Sequence, residues 1–164
     1  MVTASGSRDL LRRETGLILL TLVFIVPLTS SARASGPDEA QLDVPALNEL
    51  EQRADAAQPR DQCYMFAEVL HGLTELAGRE IAAGDDQGAT VTLLHLDSVA
   101  AKMEKASAVN PKRLKNAEML LEHITRRLSD MAHVASAGQR SATQAALQQV
   151  DRLHTQVLAV LFSK

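Results

Sequence analysis

The sequence predicts an all-α fold: an up-down four-helix bundle with a short extra N-terminal helix, following a cleaved signal peptide. Three observations predict it. Apolar residues recur at helical spacing in four long segments of the chain. Glycine, proline and helix-capping residues separate these segments by short connections, which favours helices that alternate in direction. Only 2% of the residues are aromatic, and no run of alternating β-branched residues is long enough for a strand.

The N-terminus has the three parts of a secretory signal peptide. Arg8, Arg12 and Arg13 precede the apolar run GLILLTLVFIVPL, and Ala32 and Ala34 supply the small residues of a cleavage site. The apolar run is about 13 residues long, shorter than the roughly 20 that span a bilayer. We therefore expect cleavage after Ala34 and an exported protein, periplasmic or secreted. The sequence leaves open whether export follows the general secretory or the twin-arginine route.

Cleavage would divide the chain into residues 1–34, a flexible polar tail over 35–43 and a helical domain over 44–163. It removes four of the 17 basic residues but only two of the 20 acidic ones, which changes the formal net charge from −3 to −5. An acidic exported domain is poorly suited to binding nucleic acid. We predict no nucleic-acid partner and no stable membrane span after cleavage. A protein partner or an apolar ligand stays open, as does the oligomeric state.

The first two helices are defined by caps and prolines. Asp43 is suited to cap a short helix that runs to about Ala57. Pro59 interrupts the pattern, and a long second helix is predicted over about 60–83. Gly84 should end this helix, since glycine is the usual residue after a helix C-terminus.

The third helix should begin at a cap provided by Asp85 or Asp86 and run to about Val109. Asn110 followed by Pro111 predicts the start of the fourth helix, with the asparagine as N-cap and the proline in the first helical position.

The fourth helix is predicted to continue to about Ala137 and to end at Gly138. Ser141 and Gln144 have the spacing of a capping box, which predicts that the fifth helix begins there and runs to about Phe162.

Cys63 is the only cysteine of the chain, so no disulfide can form within it. It lies on the same predicted apolar stripe as Phe66 and Leu70, which favours a buried, slowly reacting thiol. A disulfide between two chains is the alternative.

Acidic residues precede histidines by three positions at several points, a spacing found in helix-bundle metal sites. The pairs are Glu68 with His71, Asp130 with His133, and Asp151 with His154. At about 100° per residue, His71, His123 and His133 lie more than 100° from the apolar stripes of their helices, and only His154 lies close to one. The side chains therefore do not converge, and the sequence predicts neither a metal nor another cofactor.

The functional prediction is a non-enzymatic binding, interaction or structural module of the cell envelope. The sequence has no serine-centred nucleophile motif, haem-attachment motif, phosphate-binding glycine loop or zinc-type cysteine–histidine spacing. We nominate no catalytic residue, although an enzyme is not excluded. The alternative is a metal- or cofactor-binding bundle that uses the acid–histidine pairs, with Glu68, His71, Asp151 and His154 as candidate ligands.

Overall fold

The computed structural model describes residues 43–109 and 111–163, which form five α-helices and, within these two ranges, no β-strand. The helices are α1 (Val44–Ala56), α2 (Pro59–Ala83), α3 (Asp86–Ser107), α4 (Leu114–Val134) and α5 (Ala137–Phe162). The prediction of an all-α fold is confirmed. None of the described helices is both long enough and apolar enough to cross a bilayer. The predicted signal peptide lies outside the described residues, as does all of the predicted tail except Asp43.

Each of the four long helices packs against two of the other long helices. Helix α2 packs against α3 and α4, α5 packs against the same two helices, and α1 packs on α2. Helices α2 and α4 run in the same direction. At one end the amide of Lys112 donates to the carbonyl oxygen of Arg60 over 2.7 Å, and towards the other end Gly78 faces Met131. Helices α3 and α4 follow one another in the sequence but are not principal packing partners. After α3 the chain continues into α4, which packs beside α2.

The core between these helices consists mainly of leucine, valine, alanine and methionine, with little aromatic content. Leu70, Leu96, Leu121 and Ile124 have no exposed surface, and burying one such side chain stabilises the fold by about 1.5–3 kcal/mol. Cys63 is also fully buried, which confirms its predicted position on the apolar stripe. Burial raises the pKa of its thiol to about 11, since a charged thiolate is disfavoured away from water.

The predicted boundaries are accurate for the first three helices. Asp43 caps α1 by accepting a hydrogen bond from the amide of Ala46 at 3.0 Å. Asp85 caps α3 through the amide of Gly88 at 2.9 Å. Gly84 ends α2 with a φ of 73°, a left-handed conformation that glycine adopts without steric cost.

The predicted start of α4 is wrong. Pro111 does not occupy the first helical position, because α4 begins at Leu114 with Arg113 as its N-cap. The backbone before the helix is held by α2 instead. Lys112 is hydrogen-bonded to Arg60, and the guanidinium of Arg113 lies 3.4 Å from the centre of the Tyr64 ring. Arg113 has a φ of 57°, a conformation that these contacts must stabilise.

The predicted boundary between α4 and α5 is also wrong. Helix α4 ends at Val134, and α5 begins at Ala137 with Ser136 as its N-cap. The hydroxyl of Ser136 accepts from the amide of Gln139, whose side chain accepts in turn from the amide of Ser136. This capping box uses the same Ser-x-x-Gln spacing as the predicted one at Ser141, one and a half turns earlier.

Candidate metal centre

The candidate site lies along the seam between the parallel helices α2 and α4. An open groove of about 410 Å³ follows this seam. We call it the seam groove; its lining residues are Tyr64, His71, Asn116, Met119, Leu120 and His123.

Helical spacing places the α2 side of the site in one row. Tyr64, Glu68, His71 and Glu75 are separated by four, three and four residues, so they lie on one side of the helix and outside its buried stripe. This row is why His71 is turned away from the core, as its position on the helical wheel predicted. It is turned towards α4 rather than towards open solvent, and it is half-buried there.

Three potential metal ligands converge in this seam. His71, Glu75 and His123 each offer one ligand atom, and these atoms all lie within 4.8 Å of one another. The two imidazole rings have centroids 5.1 Å apart at an interplanar angle of 49°, and Nε2 of His123 lies 3.8 Å from Oε1 of Glu75. Three ligands bound to one zinc ion at about 2 Å lie roughly 3.3 Å apart. The side chains therefore need to move inward by on the order of 1 Å to share an ion.

The electrostatics of the site favour a neutral imidazole ligand. Burial lowers the pKa of His71, the nearby His123 lowers it further, and the carboxylate of Glu75 opposes the change. A neutral imidazole has the free lone pair that metal binding requires.

Arg127 places a cation beside the site. Its Nε lies 3.6 Å from Oε1 of Glu75, so the carboxylate has a positive neighbour besides the histidines. The position of this guanidinium depends on Gly78. A Cβ atom at residue 78 would lie 2.9 Å from Nη2 of Arg127 and 3.2 Å from the sulfur of Met131.

At the other end of the row, Tyr64 closes the groove. Burial raises the pKa of its hydroxyl, the neighbouring Glu68 raises it further, and Arg113 opposes the change. Tyr64 is therefore a neutral side chain between Glu68 and Arg113. Glu68 interacts with this tyrosine and is not among the groups that shift the pKa of His71.

The structure separates the other predicted candidate ligands from this site. His154 lies on α5 with its Nε2 3.2 Å from Oε1 of Glu118 on α4. Both side chains are 18% exposed, as expected for a histidine at the margin of the core. Asp151 is exposed, and the partner described for His154 is Glu118 rather than Asp151. Glu68, His71, Asp151 and His154 thus do not form one site.

The sequence-based conclusion that the acids and imidazoles do not converge is wrong for His71 and His123. A helical wheel relates each histidine only to the apolar stripe of its own helix. The sequence signal that was missed is Glu75, four residues after His71 rather than three before it. His123 carries no local signal, since its partners lie on another helix.

Another histidine, His95, takes part in a network that connects α1 to α3. Its Nε2 lies 2.6 Å from Glu51, and Lys102 donates to Glu51 at 2.9 Å and to Asp55 at 2.7 Å. Burial raises the pKa of Glu51, but the hydrogen bonds from Lys102 and His95 outweigh it, so that the pKa lies below its ordinary value. This network has one imidazole and a lysine that engages both carboxylates, which suits helix attachment better than metal binding.

Comparison of the chain with protein-family models, curated proteins and solved structures yields no match.

Proposed function

We propose that the chain is an exported, non-enzymatic helical-bundle protein of the cell envelope that binds a transition-metal ion through His71, Glu75 and His123. The observation that carries this proposal is the convergence of the three ligand atoms to within 4.8 Å across two helices. Two imidazoles and one carboxylate form a common protein ligand set for zinc and for iron(II), and imidazole also suits copper and nickel.

The arrangement of the helices supports a four-helix bundle in which α1 is an additional helix. The four principal contacts α2–α3, α3–α5, α5–α4 and α4–α2 close a ring. In bundles of this kind, metal ligands project from facing helices. Here the ligands lie on adjacent helices at the seam, where solvent reaches one side. His123 is 57% exposed and Glu75 is 35% exposed, so an ion can enter from solution without opening the core.

The proposed location follows from the N-terminal residues alone. A basic segment, an apolar run and an Ala-x-Ala sequence together indicate export and cleavage after Ala34. We propose no reaction, because the described part of the chain places no identified nucleophile or general acid–base pair beside the three ligands.

The test is metal titration of the purified protein without a polyhistidine tag. Competition with a chromophoric chelator should give one zinc ion per chain, and the ion should raise the thermal unfolding temperature because it binds only the folded state. His71→Ala, Glu75→Gln and His123→Ala should each weaken zinc binding at least about tenfold, since even residues that only support ligands commonly have effects of this size.

His133→Ala is the matched control, because His133 is an exposed histidine on the same helix whose ring contacts the carbonyl oxygen of Ser129. Its zinc affinity should equal that of the wild type. Equal zinc binding by the wild type and the three ligand variants would contradict the proposed site.

Binding of an apolar ligand is the second candidate function. A groove of about 420 Å³ lies where α1 meets α2 and α3, within the size range of small-molecule sites. Val44 and Val91 line it and are 51% and 61% exposed. A fluorescent apolar probe should bind here, and Val91→Asp should weaken its binding, whereas Val134→Asp on α4 should not. Equal probe binding by both variants would exclude this groove.

A further inference from the structure

Another side chain of a type that binds metal ions lies in the seam groove with the histidine pair of the proposed site. Met119 lies one helical turn before His123 on α4, a spacing that places the two side chains side by side. It lines the seam groove together with both histidines, and it is 59% exposed, so packing does not fix its sulfur elsewhere. Methionine has three rotatable side-chain bonds, which allows the thioether to turn towards the ring nitrogens.

Glu75 and Met119 lie on opposite sides of the histidine pair. Glu75 follows His71 by one turn on α2, whereas Met119 precedes His123 by one turn on α4. Because α2 and α4 run in the same direction, one side chain lies towards the C-terminal end of the seam and the other towards its N-terminal end. An ion bound by the two imidazoles could therefore take either Glu75 or Met119 as its third ligand.

The two candidate third ligands differ in their chemistry and in the residues around them. On the Glu75 side lies the cation Arg127, at 3.6 Å from the carboxylate. On the Met119 side the groove is lined by Tyr64, Leu120 and Asn116. The charged side chains of Glu68 and Arg113 both interact with Tyr64 of this lining. A carboxylate is a hard oxygen ligand that divalent ions accept, whereas a thioether is a soft ligand that selects copper(I).

We infer that the seam groove is a copper(I) site in which His71, His123 and Met119 bind the ion, and that zinc uses Glu75 in place of Met119. This inference rests on the proposed function, since both ions need the histidine pair. No change in oxidation state is involved, because copper is bound as copper(I).

The test substitutes Met119 and Glu75, the two candidate third ligands, one at a time. Copper(I) affinity is measured without oxygen by competition with a copper(I)-specific chromophoric chelator, and zinc affinity is measured by competition as above. Met119→Leu should weaken copper(I) binding at least about tenfold and leave zinc binding within about twofold. Glu75→Gln should do the reverse. Met65→Leu, which removes a thioether that does not line the groove, is the matched control and should change neither affinity.

X-ray absorption of the copper(I) form adds an independent measurement. The wild type should show nitrogen and sulfur neighbours, and the sulfur signal should be absent from Met119→Leu. A sulfur signal that persists in this variant would assign the ion to another sulfur and overturn the inference.

The outcomes separate the two proposals. If the wild type binds neither ion, the proposed function and this inference both fail. If it binds zinc through the three ligands but does not bind copper(I), or if Met119→Leu leaves the copper(I) affinity unchanged, only the inference fails. An equal loss of affinity for copper(I) and for zinc in Met119→Leu would also overturn the inference, because Met119 would then not discriminate between the two ions.

Discussion

His154 and His133 show how differently two histidines contribute to the same helical protein. His154 lies between α5 and α4, 18% exposed, with its Nε2 beside the carboxylate of Glu118. His133 is an exposed residue near the end of α4, and its ring contacts only the backbone of its own helix, at Ser129, among its described hydrogen bonds. Each residue follows an aspartate by three positions, yet neither has that aspartate as a described partner.

We predict that stability follows these surroundings rather than the spacing. His154→Ala should lower the free energy of unfolding by roughly 1–3 kcal/mol, since it removes packing and leaves the partly buried Glu118 without this partner. His133→Ala should change it by less than about 0.5 kcal/mol. Urea unfolding with and without a chelator is the measurement. An equal effect of the two substitutions would show that burial does not decide their contributions.

Cys63 should react slowly in the folded protein. Its side chain is fully buried, and burial raises the pKa of the thiol to about 11, so little thiolate is present at neutral pH. Maleimide labelling of native protein should therefore be much slower than labelling in urea. Fast native labelling, or a disulfide-linked dimer on a non-reducing gel, would contradict this prediction.

At the scale of the helices, the start of α5 depends on which of two similar sequences caps it. Ser136 and Gln139 form the capping box in the structure, and Ser141 is an exposed residue within the helix. Ser136→Ala should therefore lower the free energy of unfolding by about 1 kcal/mol. Ser141→Ala should change it by less than about 0.5 kcal/mol. Urea unfolding of both variants tests the assignment, and a larger loss in Ser141→Ala would reverse it.

The attachment of α1 should depend on pH through Glu51. Its pKa is lowered in the folded protein, so its carboxylate stabilises the fold above the ordinary glutamate pKa of about 4.3 and loses this effect as the pH falls through the folded value. Glu51→Gln should thus destabilise the protein at pH 7, and the difference from wild type should disappear in acid. Unfolding midpoints from pH 7 to 3 measure this.

Glu49→Gln is the control for Glu51→Gln, because Glu49 is an exposed glutamate on the same helix. It should follow the wild-type pH dependence throughout. A difference between Glu51→Gln and wild type that stays constant down to pH 3 would show that the carboxylate charge is not what attaches α1.

At the scale of the whole molecule, the chain should be exported and shortened. The basic, apolar and small-residue segments of the N-terminus predict a mature protein that begins at Ser35. Intact mass spectrometry of the protein from the periplasm or the medium measures this directly. A protein that retains Met1, or that accumulates in the cytosol, would contradict the prediction.

The sequence alone predicted the all-α class, the positions of the first three helices and the burial of Cys63. Local chemistry decides these features. Helical spacing determines which residues share a buried stripe, and Asp43, Gly84 and Asp85 act on the backbone within a few residues of themselves.

Only the tertiary structure decided where α4 begins, which serine caps α5 and which histidines meet. Pro111 is a good start signal by itself, but contacts of Lys112 and Arg113 with α2 hold the preceding turn outside the helix. The candidate metal centre depends on the packing of α2 beside α4, two helices separated in sequence by the whole of α3. Helical periodicity specifies the direction of a side chain relative to its own helix. It carries no information about which helix lies on that side, so the meeting of His71, Glu75 and His123 followed only from the fold.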